Sequence, residues 1–177
     1  KKLVKEKFLL MVSRLDIIPK DFKTLFSAFD IAKEKGYEGK LYLIGDGPDR
    51  EEVEKMKENS KYKEEIYLLG RKKNPYNWMK KADKLILSSR YEGFPNIVLE
   101  ANSLGKPVFS NSCKGGINEI IINGSNGLAC DFTNKEDFQN GLHEFLGTKF
   151  DESKIVELTS SRYSIETIIK KYINFFS

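Results

Sequence analysis

The stretch "KLILSSRYEGFPNIVLEANSLGKPVFSN", residues 84–111, decides the fold, since it reads as strand, turn, helix and second strand. Its ends, "KLILSS" (84–89) and "PVFSN" (107–111), are short apolar runs without alternation. Such runs are typical of parallel strands that helices cover on both faces. From Asn96 onward the middle predicts a helix with apolar residues on most of its sides. One unit of this kind implies a right-handed crossover between parallel strands.

The same alternation continues on both sides of this stretch. Four more apolar runs predict strands: "FLLMVS" (8–13), "KLYLIG" (40–45), "IYLLG" (66–70) and "GLACD" (127–131). Helical patterns separate or follow them at residues 21–35, 49–59, 75–81, 117–122, 135–145 and 164–176. We therefore expect an α/β fold, a Rossmann-like doubly wound parallel sheet of about six strands with helices on both faces.

Length and composition limit the class of protein. The 177 residues suit one domain, and 40% apolar with 12% aromatic residues exclude a disordered chain. No run of 18 apolar residues and no signal-peptide pattern is present. The opening "KKLVKEKF" lacks a starting Met, as a piece of a longer protein would.

Charge and cysteine usage exclude further classes. The net charge of +4 comes from mixed signs, as in "REEVEKMKENSKYKEE" (50–65), without a basic stripe with interleaved aromatics. We therefore expect no nucleic-acid partner, while the basic character leaves room for weak attraction to a membrane surface. Cys113 and Cys130 form no CxxC pair and His143 is the single histidine, which predicts two reduced thiols and no metal site.

In doubly wound sheets, ligands bind where strands end at their carboxyl side. The turns there are "RLDIIPK" (14–20), "DGPD" (46–49), "RKKNP" (71–75), "RYEGFPN" (90–96), "SCKGG" (112–116) and "FTN" (132–134). They contain no P-loop, no GxGxxG, no DxD pair, no HExxH and no GxSxG. These absences disfavour NAD binding and hydrolase chemistry, and nothing visible requires a metal.

The turn before the central helix predicts an anion site. Gly93 permits a tight turn and close approach of a ligand, and Pro95 suits the first helical position. The amides of Asn96 and Ile97 would then point out of the positive helix end. Glu100 lies one turn further on the same side, where it would reach a ribose diol. The alternative is a helix cap with Glu100 in an internal ion pair.

Two cations follow the first strand, Arg14 and Lys20. On a loop at the carboxyl edge they would clamp a diphosphate from the side opposite the helix tip, with solvated side chains as the alternative. Trp78 follows "RKKNP", where a base could stack on it, but we expect it in the core.

These segments together resemble a known family. The stretches "MVSRLDIIPKDFKTLFSAF", "LYLIGDGPDREEVE", "IYLLGRKKNPYNWMKKADKLILSSRYEGFPNIVLEA", "GKPVFS" and "GGINEIIINGSNGLA" are similar to the donor-binding half of family 4 (group 1) retaining glycosyltransferases. The similarity runs from about residue 8 to residue 138 and includes the ExxxxxxxE element from Glu92 to Glu100. It implies the C-terminal half of a GT-B enzyme of bacterial surface-glycan type. Residues 1–177 would then be one nucleotide-sugar donor-binding domain, with the acceptor-binding N-terminal domain outside this chain.

The resemblance also assigns roles to side chains. Arg14 and Lys20 match the basic pair that binds the donor diphosphate. Glu92 matches the glutamate at the sugar hydroxyls beside the reacting carbon, so the expected catalytic residues are Glu92, Arg14 and Lys20. Glu100 matches the glutamate that binds the ribose hydroxyls.

The remaining donor contacts fall on backbone segments of two turns, at Gly70 and Arg71 for the base and at Gly93, Phe94, Asn96 and Ile97 for sugar and phosphate. The chain departs from relatives at Ser13, where many have Gly, and at Pro95, where many have a small residue. Pro95 lacks an amide and so removes one donor from the phosphate loop.

The expected function is retaining transfer from a UDP-sugar, with GDP-mannose as the alternative donor, to a lipid-linked or polysaccharide/lipopolysaccharide acceptor. We expect activity only together with the N-terminal domain, with neither metal nor cofactor. The expected location is cytoplasmic, with peripheral association at the inner face of the membrane. A non-catalytic nucleotide-sugar binding module or a GT-B epimerase are the alternatives. The sequence leaves open the donor sugar, acceptor, linkage and oligomeric state.

Overall fold

The computed structural model describes residues 6–176 and contains the six-stranded parallel sheet predicted from the sequence. The strands are β1 Phe8–Val12, β2 Lys40–Ile44, β3 Ile66–Leu68, β4 Lys84–Leu87, β5 Val108–Asn111 and β6 Gly127–Cys130. Their order is β3-β2-β1-β4-β5-β6. The direction of winding therefore reverses between β1 and β4, and a crevice opens there at the carboxyl edge.

Eight helices surround this sheet within residues 6–176. They are α1 Phe22–Glu34, α2 Arg50–Glu58, α3 Tyr76–Lys81, α4 Asn96–Ser103, α5 Ile117–Ile120, α6 Lys135–Gly147, α7 Glu152–Tyr163 and α8 Ile165–Phe176. A short 3-10 turn, Lys63–Glu65, precedes β3. Helix α1 packs with α2 and α6, whereas α4 packs with α3, α5 and α7. The helices thus form two layers, one on each face of the sheet.

Helix α7 is the element that the sequence did not predict. Its buried residues are Ile155 and Thr159, and three consecutive hydroxyl residues follow in "TSS" (159–161), so its apolar stripe is too narrow to stand out. Asp151 caps its amino end by accepting from the amides of Ser153 and Lys154. The helix is held by packing on α4, a contact distant in sequence.

The core consists of apolar side chains between the sheet and its helix layers. Leu9 and Phe29 are fully buried in it, and Phe145 stacks on Phe109 with ring centroids 5.3 Å apart. Trp78 is partly buried and packs edge-on against Tyr42 at the margin of the core, so the prediction that it lies in the core is correct only in part. No helix within residues 6–176 combines the length and the apolarity needed to cross a bilayer.

Candidate functional site

Two loops meet at the carboxyl edge between β1 and β4. The backbone amide of Asp21 donates to the carbonyl of Ser88 at 2.7 Å, and the amide of Arg90 donates to the carbonyl of Pro19 at 2.8 Å. The segment around Lys20 therefore runs antiparallel to the end of β4. This pairing fixes the position of both loops at the point where the sheet reverses its winding.

Arg90 reinforces the junction from the outside. Its Nη1 donates to the carbonyls of Ile17 at 2.5 Å and Lys20 at 3.3 Å, and its Nη2 lies 3.3 Å from Asp21 Oδ2. Three carbonyls of one loop, that of Ile18 included, thus accept from a single guanidinium. Arg90 was not predicted from the sequence, since an arginine in a strand-end turn looks like a solvated one.

Lys20, Ser89 and Glu92 form a compact polar cluster at this junction. The ammonium of Lys20 pairs with Glu92 Oε1 and donates to Ser89 Oγ at 2.9 Å. Ser89 Oγ in turn donates to Glu92 Oε1 at 2.6 Å. The Lys20 and Glu92 side chains are only 13% and 17% exposed. The sequence analysis assigned separate roles to these two residues and predicted neither their ion pair nor Ser89.

The cluster keeps unused hydrogen-bonding capacity. An ammonium group carries three N–H donors, and Glu92 and Ser89 occupy two of those of Lys20. Glu92 Oε2 accepts no hydrogen bond from residues 6–176. One donor of Lys20 and one oxygen of Glu92 are therefore left for a ligand.

Helix α4 begins next to this cluster. Pro95 precedes the first helical residue, Asn96, so the prediction that proline occupies the first helical position is wrong by one residue. The prediction of an outward Asn96 amide is also wrong, because that amide donates to the carbonyl of Phe94 at 2.9 Å. The amides of Gly93, Phe94 and Ile97 donate to no acceptor within residues 6–176. These three N–H groups can meet an anion at the positive helix end.

The glycine that the conformation of this turn requires lies opposite the turn, after β5, and not within it. Gly93 does not adopt the left-handed region, and a side chain there would meet open space, so the predicted conformational role of Gly93 is wrong. Gly115 instead has φ +119, and a Cβ on it would lie 1.6 Å from the carbonyl oxygen of Glu92. Gly116 donates its amide to the carbonyl of Gly93 at 2.9 Å. The pair after β5 thus supports the turn that presents Glu92.

Glu100 lies half-buried on α4. Its carboxylate forms no ion pair or hydrogen bond with residues 6–176, so the alternative of an internal ion pair gains no support. Burial raises the pKa of Glu100 above its ordinary value. A partly desolvated carboxylate without a protein partner is what a ligand-binding group would be before its ligand arrives.

A second part of the site lies beside β2. Arg14 is exposed and lines a cleft of about 420 Å³ together with Arg71, Lys72 and Gly45. The guanidinium of Arg14 makes no ion pair or hydrogen bond to the described residues. The expected basic pair is therefore divided: Lys20 belongs to the Glu92 cluster, and Arg14 faces this cleft.

Backbone contacts join the loops around the cleft. Gly70, at φ +68, accepts at its carbonyl from the amide of Gly45 at 3.1 Å. A Cβ on Gly45 would lie 1.7 Å from the carbonyl oxygen of Ser13. This close approach requires glycine at residue 45, a role for "GDGP" that the sequence analysis missed.

Residues 6–176 contain no group of three His, Cys, Asp or Glu side chains arranged to hold a metal ion. Both cysteines are free thiols, as predicted. Cys113 is buried near Glu92; burial first, and then the charge of Glu92, raise the pKa of its thiol. It is therefore a neutral neighbour of the cluster at ordinary pH.

The chain is similar in sequence to known proteins. The family model described as "Glycosyl transferases group 1" matches residues 1–158. Over 152 residues the chain is 29% identical to N-acetylgalactosamine-N,N'-diacetylbacillosaminyl-diphospho-undecaprenol 4-alpha-N-acetylgalactosaminyltransferase of Campylobacter jejuni, which covers 86% of this chain and 40% of that protein. It is 25% identical over 171 residues to an amylovoran biosynthesis glycosyltransferase of Erwinia amylovora, covering 95% of this chain and 47% of that protein.

Solved structures give the same answer for the fold. The lipopolysaccharide outer core galactosyltransferase WaaB superposes with a TM-score of 0.83 at 27% identity, covering 98% of this chain and 49% of that one. The Anabaena protein HepE, solved with UDP-glucose, superposes with a TM-score of 0.80 at 20% identity, covering 97% and 48%. The chain thus spans less than half the length of each of these relatives. The predicted Rossmann-like half of a GT-B enzyme is confirmed as the fold.

Proposed function

The chain belongs to the glycosyl transferases group 1 family, and from this premise we propose that it binds the nucleotide-sugar donor of a retaining glycosyltransferase. The observation that carries the proposal is the Lys20–Ser89–Glu92 cluster beside the free amides at the start of α4. Cationic and amide donors meet a carboxylate there within one junction of two loops. A diphosphate with a sugar attached needs this combination of groups.

The chemistry follows from where charge develops. When the bond between the sugar and the diphosphate breaks, negative charge grows on the leaving phosphate oxygen. The remaining N–H of Lys20 and the amides of Gly93, Phe94 and Ile97 can stabilise that charge without reorganising. In this proposal Arg14 adds a second cation from the neighbouring cleft.

The two glutamates take different parts of the donor in this proposal. Glu92 Oε2 accepts from a sugar hydroxyl beside the reacting carbon, while Lys20 and Ser89 hold the other oxygen in place. Glu100 accepts from the ribose hydroxyls, which supply the partner that its carboxylate lacks in the protein. The turn at Gly70 and Arg71 lies next to the Arg14 cleft, where we place the base.

Relatives support the choice of substrates. HepE is solved with UDP-glucose, and the name of the Campylobacter relative specifies a diphospho-undecaprenol acceptor. We therefore propose a UDP-sugar as donor, with GDP-mannose as the alternative, and a lipid-linked or polysaccharide acceptor. In this proposal the reacting end of the acceptor is bound by a part of the enzyme outside this chain. Independence of metal ions, a cytoplasmic location and peripheral membrane association remain predictions from the sequence.

The test uses the enzyme that contains this chain, with UDP-glucose or GDP-mannose and an undecaprenyl-diphosphate-linked sugar as acceptor. Glu92→Gln should bind UDP nearly normally and lower the turnover of the accepted donor by about a hundredfold, since the contact acts mainly in the transition state. Normal turnover by Glu92→Gln would contradict the proposal. If the unchanged enzyme binds the donor without any turnover, it is a binding module. If it converts the donor to its sugar epimer, it is an epimerase.

A further inference from the structure

A second cleft opens on the sheet face that α3 partly covers. Its volume is about 620 Å³. The lining residues, which come from the amino end of β1, from β2 and from α3, are Glu6, Phe8, Tyr42, Asn77, Trp78 and Lys81. Helix α3 has only six residues, so it leaves this corner of the sheet uncovered.

Aromatic rings form the wall of the cleft. Tyr42 and Trp78 meet edge to face with centroids 5.7 Å apart, and Phe8 packs on Tyr42 at 4.9 Å. Tyr67 packs on Tyr42 at 5.4 Å but does not itself line the cleft. The rings hold one another in fixed orientations and so present a preformed apolar surface.

Polar groups stand around these rings. The amide of Asn77, the ammonium of Lys81 and the indole N–H of Trp78 make no hydrogen bond or ion pair to residues 6–176. Tyr42 donates its hydroxyl to Glu6 Oε1 at 3.2 Å, and Lys40 pairs with the same carboxylate. Unused donors and a charged acceptor thus surround an aromatic wall within one concave space.

The cleft and the donor loops lie towards opposite ends of β1, and Lys72 borders both regions: it lines the Arg14 cleft, and its ammonium lies 5.9 Å from the ring centroid of Trp78. Phe8 begins β1, whereas the donor loops follow Val12 at its other end. Four steps of about 3.3 Å place these two edges about 13 Å apart. The diphosphate of a donor held at the carboxyl edge therefore lies outside the cleft.

We propose that this cleft binds a neutral oligosaccharide segment of the glycan that the enzyme extends. This rests on the proposed function for the identity of the glycan. The C–H face of a pyranose is apolar and packs on aromatic rings, while its hydroxyls exchange hydrogen bonds with amide, carboxylate and ammonium groups. A flat membrane surface fits less well, because the space is concave.

Trp78 makes the test direct, because it is the single tryptophan of the chain and its fluorescence reports from the cleft. The chain is titrated with maltohexaose and with chitohexaose in the absence of nucleotide. At least one sugar should change the Trp78 emission saturably, with a dissociation constant in the millimolar range. Asn77→Ala should weaken this binding about tenfold through loss of the amide hydrogen bonds. Asn140→Ala, which changes an exposed asparagine of α6, is the matched control and should bind as the unchanged chain does.

The proposal is wrong if neither sugar changes the emission, or if Asn77→Ala and Asn140→Ala bind equally. A response to vesicles of anionic phospholipid but to neither sugar would also overturn it and identify a membrane surface. UDP binding, measured in the same samples, separates this result from the proposed function. If the chain binds UDP but neither sugar, the proposal for the cleft alone is refuted. If it binds a sugar but not UDP, the proposal for the donor site alone is refuted.

Discussion

Replacing Lys20 by methionine removes the ammonium that Glu92 and Ser89 share, while keeping a side chain of similar length. The two charged side chains are 13% and 17% exposed, so the carboxylate of Glu92 would remain largely desolvated without its cation. Ser89 would still donate to that carboxylate at 2.6 Å and compensate part of the loss. The chain should therefore lose stability as well as affinity for the donor.

The size of both effects follows from the contacts. A largely buried carboxylate that keeps one hydrogen bond but loses its cation costs about 2 kcal/mol, less than the roughly 3–5 kcal/mol of a fully broken buried pair. For a chain of this length that lowers the melting temperature by about 4–8 °C. Loss of a charge-assisted bond to a phosphate weakens UDP binding by about 1.5–3 kcal/mol, roughly ten- to a hundredfold.

A double-mutant cycle separates pairing from binding. In Lys20→Met with Glu92→Gln, no unpaired charge remains, so about half of the lost stability should return while UDP affinity stays low. Thermal melting and titration calorimetry with UDP measure the two quantities. Lys23→Met, which changes an exposed lysine of α1, should alter neither. If Lys20→Met melts like the unchanged chain, or if the second substitution restores UDP binding, the reasoning about this cluster is refuted.

Three further outcomes are expected. Glu100→Gln should weaken UDP binding by about 1–3 kcal/mol but leave the binding of 2′,3′-dideoxy-UDP unaffected, and equal loss for both nucleotides would argue against a ribose contact. Because burial raises the pKa of Glu100, the affinity for UDP should begin to fall, as the pH is lowered, at a higher pH than for an ordinary glutamate. Gly115→Ala should destabilise the chain by at least about 2 kcal/mol in urea unfolding, because its Cβ would collide with the carbonyl of Glu92. Gly93→Ala should leave the free energy of unfolding nearly unchanged, and similar effects of the two substitutions would contradict the geometry. Burial raises the pKa of Cys130 to about 12, so iodoacetamide at pH 8 should label its thiol far more slowly than free cysteine until the chain is unfolded. Mass spectrometry measures the labelling, and rapid labelling of Cys130 in the folded chain would contradict its burial.

The sheet could be predicted from the sequence because each strand has a recognisable local sequence pattern. Runs such as "FLLMVS" and "KLILSS" are apolar without alternation, and the spacing between runs leaves room for one crossover helix. Helix α7 gave no such signal, because its contact with α4 depends on residues far apart in sequence. A narrow apolar stripe predicts a helix only once its packing partner is known.

The candidate site, like the fold, could be predicted from the sequence only in part. Turn positions at strand ends identified Lys20 and Glu92 as candidates, since the crevice of a doubly wound sheet lies there, and Glu100 was identified one turn into the helix that follows. The sequence could not show that Lys20 contacts Glu92, because 71 residues separate them and only the pairing of the two loops brings them together. Arg90 and Gly115 were missed for the same reason: each acts on a backbone segment that is adjacent only in the folded chain.

The central claim is that the carboxyl edge of this sheet binds a nucleoside diphosphate through its phosphates. Titration calorimetry of the chain with UDP and with uridine, each with and without EDTA, tests it most directly. The account predicts that UDP binds at least about a hundredfold more tightly than uridine, since two or more charge-assisted bonds distinguish them. It also predicts that EDTA leaves UDP binding unchanged. Equal affinity for UDP and uridine, or no binding of UDP to the folded chain, would contradict the account.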